Sequence, residues 1–179
     1  KANNEDINNM KFTAVVGNPP YQLTVAKVDT ENGQKRSASI FHHFQLSSEE
    51  LAKYTSLIYP GGRWIHRSGK GMEQFGLAQI NDPHLSLLEF FPDSEDIFER
   101  VGIADGLSIV FKDMNKTTNG FNYIYSKNGV RIQAYTENPG ENLMPLNPYD
   151  VAIVDSIKKV VNERFVYMHN SVLSQKLFS

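Results

Sequence analysis

The first apolar run of the chain is short and rich in β-branched residues. It covers residues 12–17, with the sequence Phe-Thr-Ala-Val-Val-Gly. A run of this kind is typical of a strand that is covered on both faces in a parallel sheet. Two prolines follow closely, and proline cannot donate to a β-ladder, so the strand must end there. We therefore predict a buried strand that ends before Asn18, which precedes a proline and is thereby held extended.

Apolar residues further along alternate between helical and strand-like spacing. Residues 38–54 follow a helical period, as one helix or two, and a shorter helix is predicted at about 71–80. Short apolar runs predict further strands at residues 55–59, 85–91 and 107–112. Strands separated by helices indicate an α/β fold with a mostly parallel sheet. The short polar connection before the last of these strands favours one antiparallel closing strand.

The pattern changes after residue 114. Asn128-Gly129 separates two alternating runs at 121–125 and 130–135, which predicts a β-hairpin. Asn147 as a cap and Pro148 at the first helical position then predict a helix. We accordingly divide the chain into three parts: a linker or frayed terminus at 1–10, an α/β part at 11–114, and a hairpin-and-helix extension at 115–179.

Composition narrows the possible functions. The chain has 179 residues, a formal net charge of −2 and no cysteine, which excludes disulfides and thiolate chemistry. No apolar run approaches the roughly 20 residues that span a bilayer, so we expect a cytoplasmic protein. The near-neutral charge gives no support to nucleic-acid binding by the chain as a whole, so any such binding must depend on a local patch.

Asn18, Pro19, Pro20 and Tyr21 form the candidate catalytic motif. The Asn18 side-chain oxygen and the Pro19 backbone carbonyl are two acceptors held on a stiff Pro-Pro unit. Placed on the two hydrogens of an aromatic amine, such acceptors draw its nitrogen toward tetrahedral geometry and free its lone pair. Tyr21 offers a flat face on which a base can stack, worth about 1–3 kcal/mol. The four residues suit methyl transfer to an amine, in which positioning supplies most of the rate.

The stretch Gly17-Asn18-Pro19-Pro20-Tyr21 after an apolar strand resembles the catalytic motif of the DNA adenine-N6 methyltransferases of bacterial restriction-modification systems. Residues 59–64, 68–72 and 88–94 are similar to later segments of that family, so the resemblance covers about residues 11–113. It implies the C-terminal half of a Rossmann-like methyltransferase sheet that uses S-adenosylmethionine. It also implies that Asn18 and Pro19 bind the amino group of an adenine flipped out of double-stranded DNA, and that Tyr21 stacks on the base.

The family binds its cofactor through a glycine-rich turn after an earlier strand, and only residues 1–11 precede the first strand here. Neither Gly61-Gly62 nor Gly69-Lys70-Gly71 has the strand-turn-helix context that such a turn requires. We therefore expect a fragment of a longer protein, with Asn18 at the rim of a cofactor site that lies mostly outside this chain. The isolated chain should be inactive, and the rest of the parent polypeptide should be a partner.

Residues 63–70 are the candidate DNA-contacting loop. Arg63, Arg67 and Lys70 supply three positive charges to hold phosphates, and Trp64 is placed to pack near the extruded base. The alternative is that Trp64 anchors the core and the cations form a solvated rim.

His42 and His43 are adjacent and would point to different faces of a helix, which makes them a poor metal pair. The acidic cluster at 93–99 suggests either paired carboxylates that bind magnesium or a polar helix start, and we favour the helix start and predict no metal.

Two other functions are compatible with the sequence. One is a DNA-binding module that keeps the methyltransferase fold without methyl transfer. The other is an unrelated α/β protein in which Pro19-Pro20-Tyr21 is a turn or a ligand for a partner domain. The strand directly before Asn18 argues against a disordered ligand of that kind.

Overall fold

The computed structural model describes residues 11–24, 37–66, 71–142, 144–145 and 147–161. Across these ranges it contains eight strands and four α-helices. In chain order they are β1 (Phe12–Gly17), β2 (Gln22–Thr24), β3 (Ser37–Ser39), α1 (Phe41–Leu51), β4 (Ala52–Pro60), α2 (Gly62–Ile65), α3 (Glu73–Ile80), β5 (Leu85–Phe91), β6 (Leu107–Asp113), β7 (Phe121–Lys127), β8 (Val130–Thr136) and α4 (Pro148–Val161). A short 3₁₀ turn, Ser94–Asp96, lies between β5 and β6.

Six strands form one mixed sheet in the order β1-β4-β6-β5-β7-β8. Strands β1, β4, β5 and β7 run in one direction, while β6 and β8 run antiparallel to their neighbours. The carboxyl ends of the four parallel strands therefore lie at the same end of the sheet. Ligands of open α/β sheets bind beyond this end.

The structure confirms most of the predicted elements. Residues 41–51 form one helix that runs directly into β4, and β6 is the antiparallel strand expected after the short connection. The hairpin is present, with its turn at Asn128 and Gly129, both at positive φ. Because β7 pairs in parallel with β5, the hairpin extends the main sheet. The division of the chain at residue 114 stays a prediction, since one sheet runs across it.

One face of the sheet, the covered face, carries the core. Phe41 of α1 stacks on Tyr59 of β4 with ring centroids 4.9 Å apart, and Trp64 of α2 lies 6.1 Å from the same ring. Phe75 of α3 meets Trp64 edge-on at 6.0 Å. Val151 of α4 belongs to the same buried cluster. All four described helices thus lie on this face.

The amino end of the covered face contains a buried ionic cluster. The ammonium of Lys112 in β6 lies 2.6 Å from a carboxylate oxygen of Glu49 and 2.6 Å from one of Asp82, and its side chain is fully buried. Glu49 is on α1, and Asp82 follows α3. The cluster therefore ties two helices to the sheet, and a buried ammonium with two carboxylate partners avoids the penalty of an unpaired charge.

The prediction that β1 is covered on both faces is wrong for the described residues. β1 is an edge strand, with Val16 exposed to 76% and Phe12 to 45%. Val16 pairs with Ser56, which pairs in turn with Phe111, so these residues share the sheet face opposite the helices. Other side chains on this open face of β1, β4 and β6 are also exposed or half-buried: Phe12, Ala14, Tyr54, Ile58 and Ile109. The apolar sequence of β1 would allow the strand to be buried on both faces. The described residues cover only one of those faces.

Candidate active site

The motif Asn18 to Tyr21 leaves the sheet where the sequence predicts. Gly17, the last residue of β1, pairs with Leu57 of the parallel strand β4. Because β4 ends at Pro60, the turn that begins at Gly61 lies at the same end of the sheet. The Asn18 side chain is exposed there, outside the hydrophobic interior. Its acceptor oxygen is thus available to a ligand that approaches the carboxyl ends of the strands.

Tyr21 connects the motif to the core. Its half-buried ring packs against the buried cluster, and its carbonyl accepts a hydrogen bond of 3.0 Å from the Ile40 amide at the start of α1. Burial raises the pKa of the Tyr21 hydroxyl, and the nearby Asn18 side chain opposes that shift. No described group completes a hydrogen bond of normal geometry to this hydroxyl. Asn18 and Tyr21 are therefore neighbours in space, with Tyr21 held at both its backbone and its ring.

A two-stranded ribbon follows the motif directly. β2 and β3 pair antiparallel, with Gln22 opposite Ser39, and β3 leads through Ile40 into α1. The ribbon therefore starts and ends beside Tyr21. The sequence places Lys27, Lys35 and Arg36 in a polar loop between these two strands, where they either contact phosphates or face solvent, and all three lie outside the described residues.

A small cavity of about 20 Å³ lies beside Tyr21. This volume accommodates about one water molecule and not a purine. Its lining includes Tyr21, Phe41, Pro60, Arg63, Met72 and Asp105. A base that stacks on Tyr21 must therefore use the exposed side of the motif or displace part of this wall.

The prediction that Trp64 contacts DNA is wrong in this structure. The Trp64 side chain is fully buried between Tyr59 and Phe75, so it cannot reach a nucleic acid. Gly76 on α3 makes this burial possible. A Cβ at residue 76 would lie 2.1 Å from the Trp64 carbonyl oxygen, so only glycine lets α3 pack closely against α2. Trp64 is the core anchor that the alternative interpretation describes.

Arg63 is partly exposed, as a DNA-contacting residue requires. Its Nε lies 2.7 Å from a carboxylate oxygen of Asp105, with 52% of the Arg63 side chain exposed. Arg67 and Lys70 lie outside the described residues. Arg63 is consequently the one predicted DNA-contacting cation whose position the structure describes.

The site residues fall within the part of the chain that matches a known family. The family model described as "Eco57I restriction-modification methylase" matches residues 1–98, more than half of the chain. The chain belongs to this methylase family. The family assignment confirms the resemblance that the motif and its later segments indicate.

The chain is also similar to a curated relative and to parts of solved structures. An "Uncharacterized adenine-specific methylase" of Mycoplasma pneumoniae is 30% identical over 99 residues, which are 55% of this chain and 22% of the relative. The structure of a type I restriction-modification methyltransferase subunit from Streptococcus thermophilus is 17% identical, covering 89% of this chain and 33% of that one, with a TM-score of 0.45. A structure of a type I restriction-modification system has 14% identity, 93% and 34% coverage, and a TM-score of 0.47. The chain thus spans about a fifth to a third of the proteins it matches.

Asp105 is a site residue that the sequence reasoning missed in this methylase. Its carbonyl accepts a hydrogen bond of 2.7 Å from the Gly62 amide, while its carboxylate holds Arg63. A Cβ on Gly62 would lie 2.8 Å from that carbonyl oxygen, so glycine is needed for the approach. Asp105-Gly106 reads as a turn in the sequence. Only the folded chain shows that this turn contacts the start of α2, on the cavity that Tyr21 also lines.

Among the described residues, the end of β1 is open and no metal site is present. A Cβ on Gly17 would meet nothing within 4 Å, so the strand end beside Asn18 is open and forms no pocket there. Within the described ranges, no group of three or more His, Cys, Asp or Glu side chains is placed to hold a metal ion. None of the described helices is both long enough and apolar enough to cross a membrane.

Proposed function

We propose that this chain is the catalytic half of an S-adenosylmethionine-dependent DNA adenine-N6 methyltransferase within a restriction-modification enzyme. One observation carries the proposal: in a chain of the methylase family, Asn18 is exposed at the carboxyl end of β1 and lies beside an anchored Tyr21. The name of the adenine-specific relative supports adenine as the substrate base.

Asn18 and Pro19 orient the substrate amine in this proposal. The Asn18 oxygen and the Pro19 carbonyl each accept one hydrogen of the adenine amino group, which makes its nitrogen lone pair available for attack. The nitrogen would form its new bond to the methyl carbon as the bond from that carbon to the sulfonium sulfur breaks, which leaves a neutral thioether, and the nitrogen would then lose a proton to solvent. Tyr21 fixes the plane of the base through stacking, and Pro20 stiffens the turn between the two contacts.

Asn18 is the one described residue that we propose to contact the cofactor. Asn18 is exposed at the end of β1, where a Cβ on Gly17 would meet none of the described atoms within 4 Å. S-adenosylmethionine, when bound in the parent protein, supplies an electrophilic methyl group. We place most of its binding site in residues outside this chain, and we expect the isolated chain to be inactive for that reason.

Double-stranded DNA with a flipped adenine is the proposed partner. Arg63 lies on α2 and lines the small cavity together with Tyr21, so in this proposal its guanidinium meets a phosphate next to the extruded base. Arg67 and Lys70 follow it in sequence and would extend the same contact. Asp105 competes with phosphate for Arg63, because the Asp105 carboxylate already contacts the Nε of Arg63.

The rest of the parent polypeptide is the second proposed partner. Among the described residues, β1 leaves one edge unpaired, and the open face exposes apolar side chains such as Val16. Parallel sheets in α/β proteins are covered on both faces, and an unpaired edge invites another strand. We propose that the remainder of the catalytic domain pairs with β1 and covers the open face.

Nucleoside analysis tests the proposed chemistry. The full-length parent is incubated with adenine-containing duplex DNA and S-adenosylmethionine, and the digested DNA is examined by mass spectrometry. N6-methyladenine is the expected product. Asn18→Ala should lower the methylation rate by roughly 10²–10³-fold, or about 3–4 kcal/mol of barrier, as for loss of one preorganised polar contact.

Asn115→Ala is the matched control. Asn115 hydrogen-bonds to Asp113 after β6, at the opposite end of the sheet, and its loss should leave the rate unchanged. Normal methylation by Asn18→Ala would refute the amine-binding role. A parent that binds DNA but forms no methylated base would favour the non-catalytic DNA-binding module.

A further inference from the structure

Helix α4 has two apolar sides. Val151 is buried in the sheet cluster on the inner side. On the outer side, four large side chains are exposed at intervals of four, four and three residues, which is helical spacing. They are Tyr149 (67%), Ile153 (48%), Ile157 (46%) and Val160 (84%). We call these four residues the outer stripe.

The outer stripe borders a shallow apolar groove. The groove has a volume of about 600 Å³ and is lined by residues of α4, among them the small residues Ala152 and Ser156. Single exposed apolar residues are ordinary on a protein surface, whereas a contiguous stripe marks an interaction surface. An apolar groove along a helix accepts the apolar face of a second helix.

We propose that the outer stripe is the interface between two copies of this chain, whose α4 helices pack antiparallel around a two-fold axis. A two-fold interface uses the same surface on both copies, so that surface must be complementary to itself. The middle of the stripe lies between Val154 and Asp155. With the axis at this point, α4 is complementary to itself in side-chain size and in charge.

The sizes of the facing side chains are complementary in this arrangement. Residues at equal distances from the axis lie at the same level of the two helices. Ile153 of each copy is then level with Ser156 of the other, and Ile157 is level with Ala152. Each large residue near the middle of the stripe therefore faces a small one, which lets the two helices approach closely.

The charges of α4 are complementary in the same arrangement. Asp150 lies in the first turn of the helix, and Lys158 and Lys159 lie in the last. Antiparallel packing brings Lys159 of each copy level with Asp150 of the other. Parallel packing would bring like charges level with each other, which is unfavourable. The charge distribution therefore favours a second copy in the antiparallel orientation.

The interface is small, so the dimer should be weak. From Tyr149 to Val160 the stripe extends about 17 Å along the helix axis. Two helices in contact over this length bury less than the roughly 1,200 Å² of a standard stable interface. We expect a dissociation constant on the order of 10–100 μM.

Sedimentation equilibrium tests the proposal at concentrations that bracket this dissociation constant. The 179-residue chain should change from monomer to dimer as its concentration rises. Ile157→Asp places a charge in the stripe and should raise the dissociation constant at least about tenfold. Val16→Asp is the matched control, because Val16 is also exposed but lies at the β1 edge, whereas α4 packs on β8 at the opposite edge.

The control also separates this interface from the open face. Val16→Asp should leave the association unchanged. A chain that stays monomeric at every concentration would overturn the proposal. So would a dimer that Val16→Asp weakens and Ile157→Asp does not, because that dimer would use the open face.

Charge reversal tests the orientation. Asp150→Lys and Lys159→Asp each bring like charges to the same level, and each should weaken the dimer by about threefold to tenfold. The two changes combined should restore the association, because opposite charges again face each other. Circular dichroism verifies that each variant keeps its helix. A combined variant weaker than both single variants would contradict the antiparallel arrangement.

Disulfide formation measures the orientation independently, because the chain contains no cysteine. In the antiparallel pair, residue 149 is level with residue 160 of the other copy and about 17 Å from its own counterpart. A disulfide allows at most about 7 Å between Cα atoms. Tyr149→Cys combined with Val160→Cys should therefore form a covalent dimer at least about tenfold faster than Tyr149→Cys alone. Equal rates would show that the helices do not pack antiparallel.

Discussion

The two faces of the central sheet have similar side chains and different surroundings. On the covered face, Tyr59, Val110 and Leu88 are fully buried beneath the helices. On the open face, Ile58 and Phe111 from the same strands stay half-buried, and Val16 is exposed to 76%. Similar sequence patterns thus form a buried core on the covered face and a partly exposed apolar surface on the open face. The difference is the one expected if, as we propose, the remainder of the parent polypeptide covers the open face.

The largest effect on stability is expected at the ionic cluster of the covered face. Lys112→Ala leaves the carboxylates of Glu49 and Asp82 facing each other without a cation. We expect the free energy of unfolding to fall by about 3–5 kcal/mol, measured by urea denaturation. Lys127→Ala, at an exposed position, is the control. A loss no greater than that of the control would show that the cluster does not stabilise the covered face.

Two phenylalanines compare the faces directly. Phe41→Ala removes a ring that is 3% exposed and stacks on Tyr59, so it should destabilise the chain by about 3–5 kcal/mol. Phe111→Ala removes a half-buried ring from the open face and should have less than half that effect in this chain. Equal losses of unfolding free energy would mean that the open face is covered in solution.

Acidification should weaken the covered face by a smaller amount. Burial against Phe90 lowers the pKa of His66, and a hydrogen bond to the Met144 backbone partly opposes that shift. The unfolded chain then binds a proton more readily, so the free energy of unfolding should fall as the pH drops below about 6.5.

His66→Gln should reduce this pH dependence. It should not abolish it, because the pKa of His42 is also lowered by burial. The measurement is urea denaturation between pH 8 and pH 5, values that bracket the unperturbed histidine pKa of about 6.5. A pH dependence that is unchanged in the variant would contradict the assignment to His66.

The smallest effect is expected on the open face at the sheet edge. Val16→Thr keeps the β-branched shape, and because Val16 is mostly exposed the change should alter the stability of this chain by less than about 0.5 kcal/mol. In the full-length parent the same change should be clearly destabilising, since it would bury a hydroxyl under the covering segment. A neutral result in both proteins would remove the support for a covered edge.

Much of the fold could be predicted from local signals. The helical period before β4, the Asn128-Gly129 turn and the Asn147 cap each act over a few residues, and all three are present. Asn18 could likewise be placed at the end of a strand, because two prolines after an apolar run leave few alternatives. These features depend on backbone geometry that neighbouring residues determine.

Trp64 and Asp105 mark the limit of that reasoning. A tryptophan among arginines on a glycine-rich turn suggests a surface loop, and only the approach of Gly76 to the Trp64 carbonyl shows that the ring points inward. The contact of Asp105 with Arg63 joins residues that are distant in sequence. No local pattern encodes which of two distant segments will meet.

The amino-acid sequence by itself determined the order of the elements, the candidate catalytic motif and the family to which the chain belongs. The tertiary structure decided that β1 is an edge strand, that Trp64 supports the core, and that Lys112 is buried between two carboxylates. The physical reason is the range of the forces involved. Turns, caps and periodicity depend on neighbouring residues, whereas burial and ion pairing depend on which distant surfaces remain available for contact after the chain has folded.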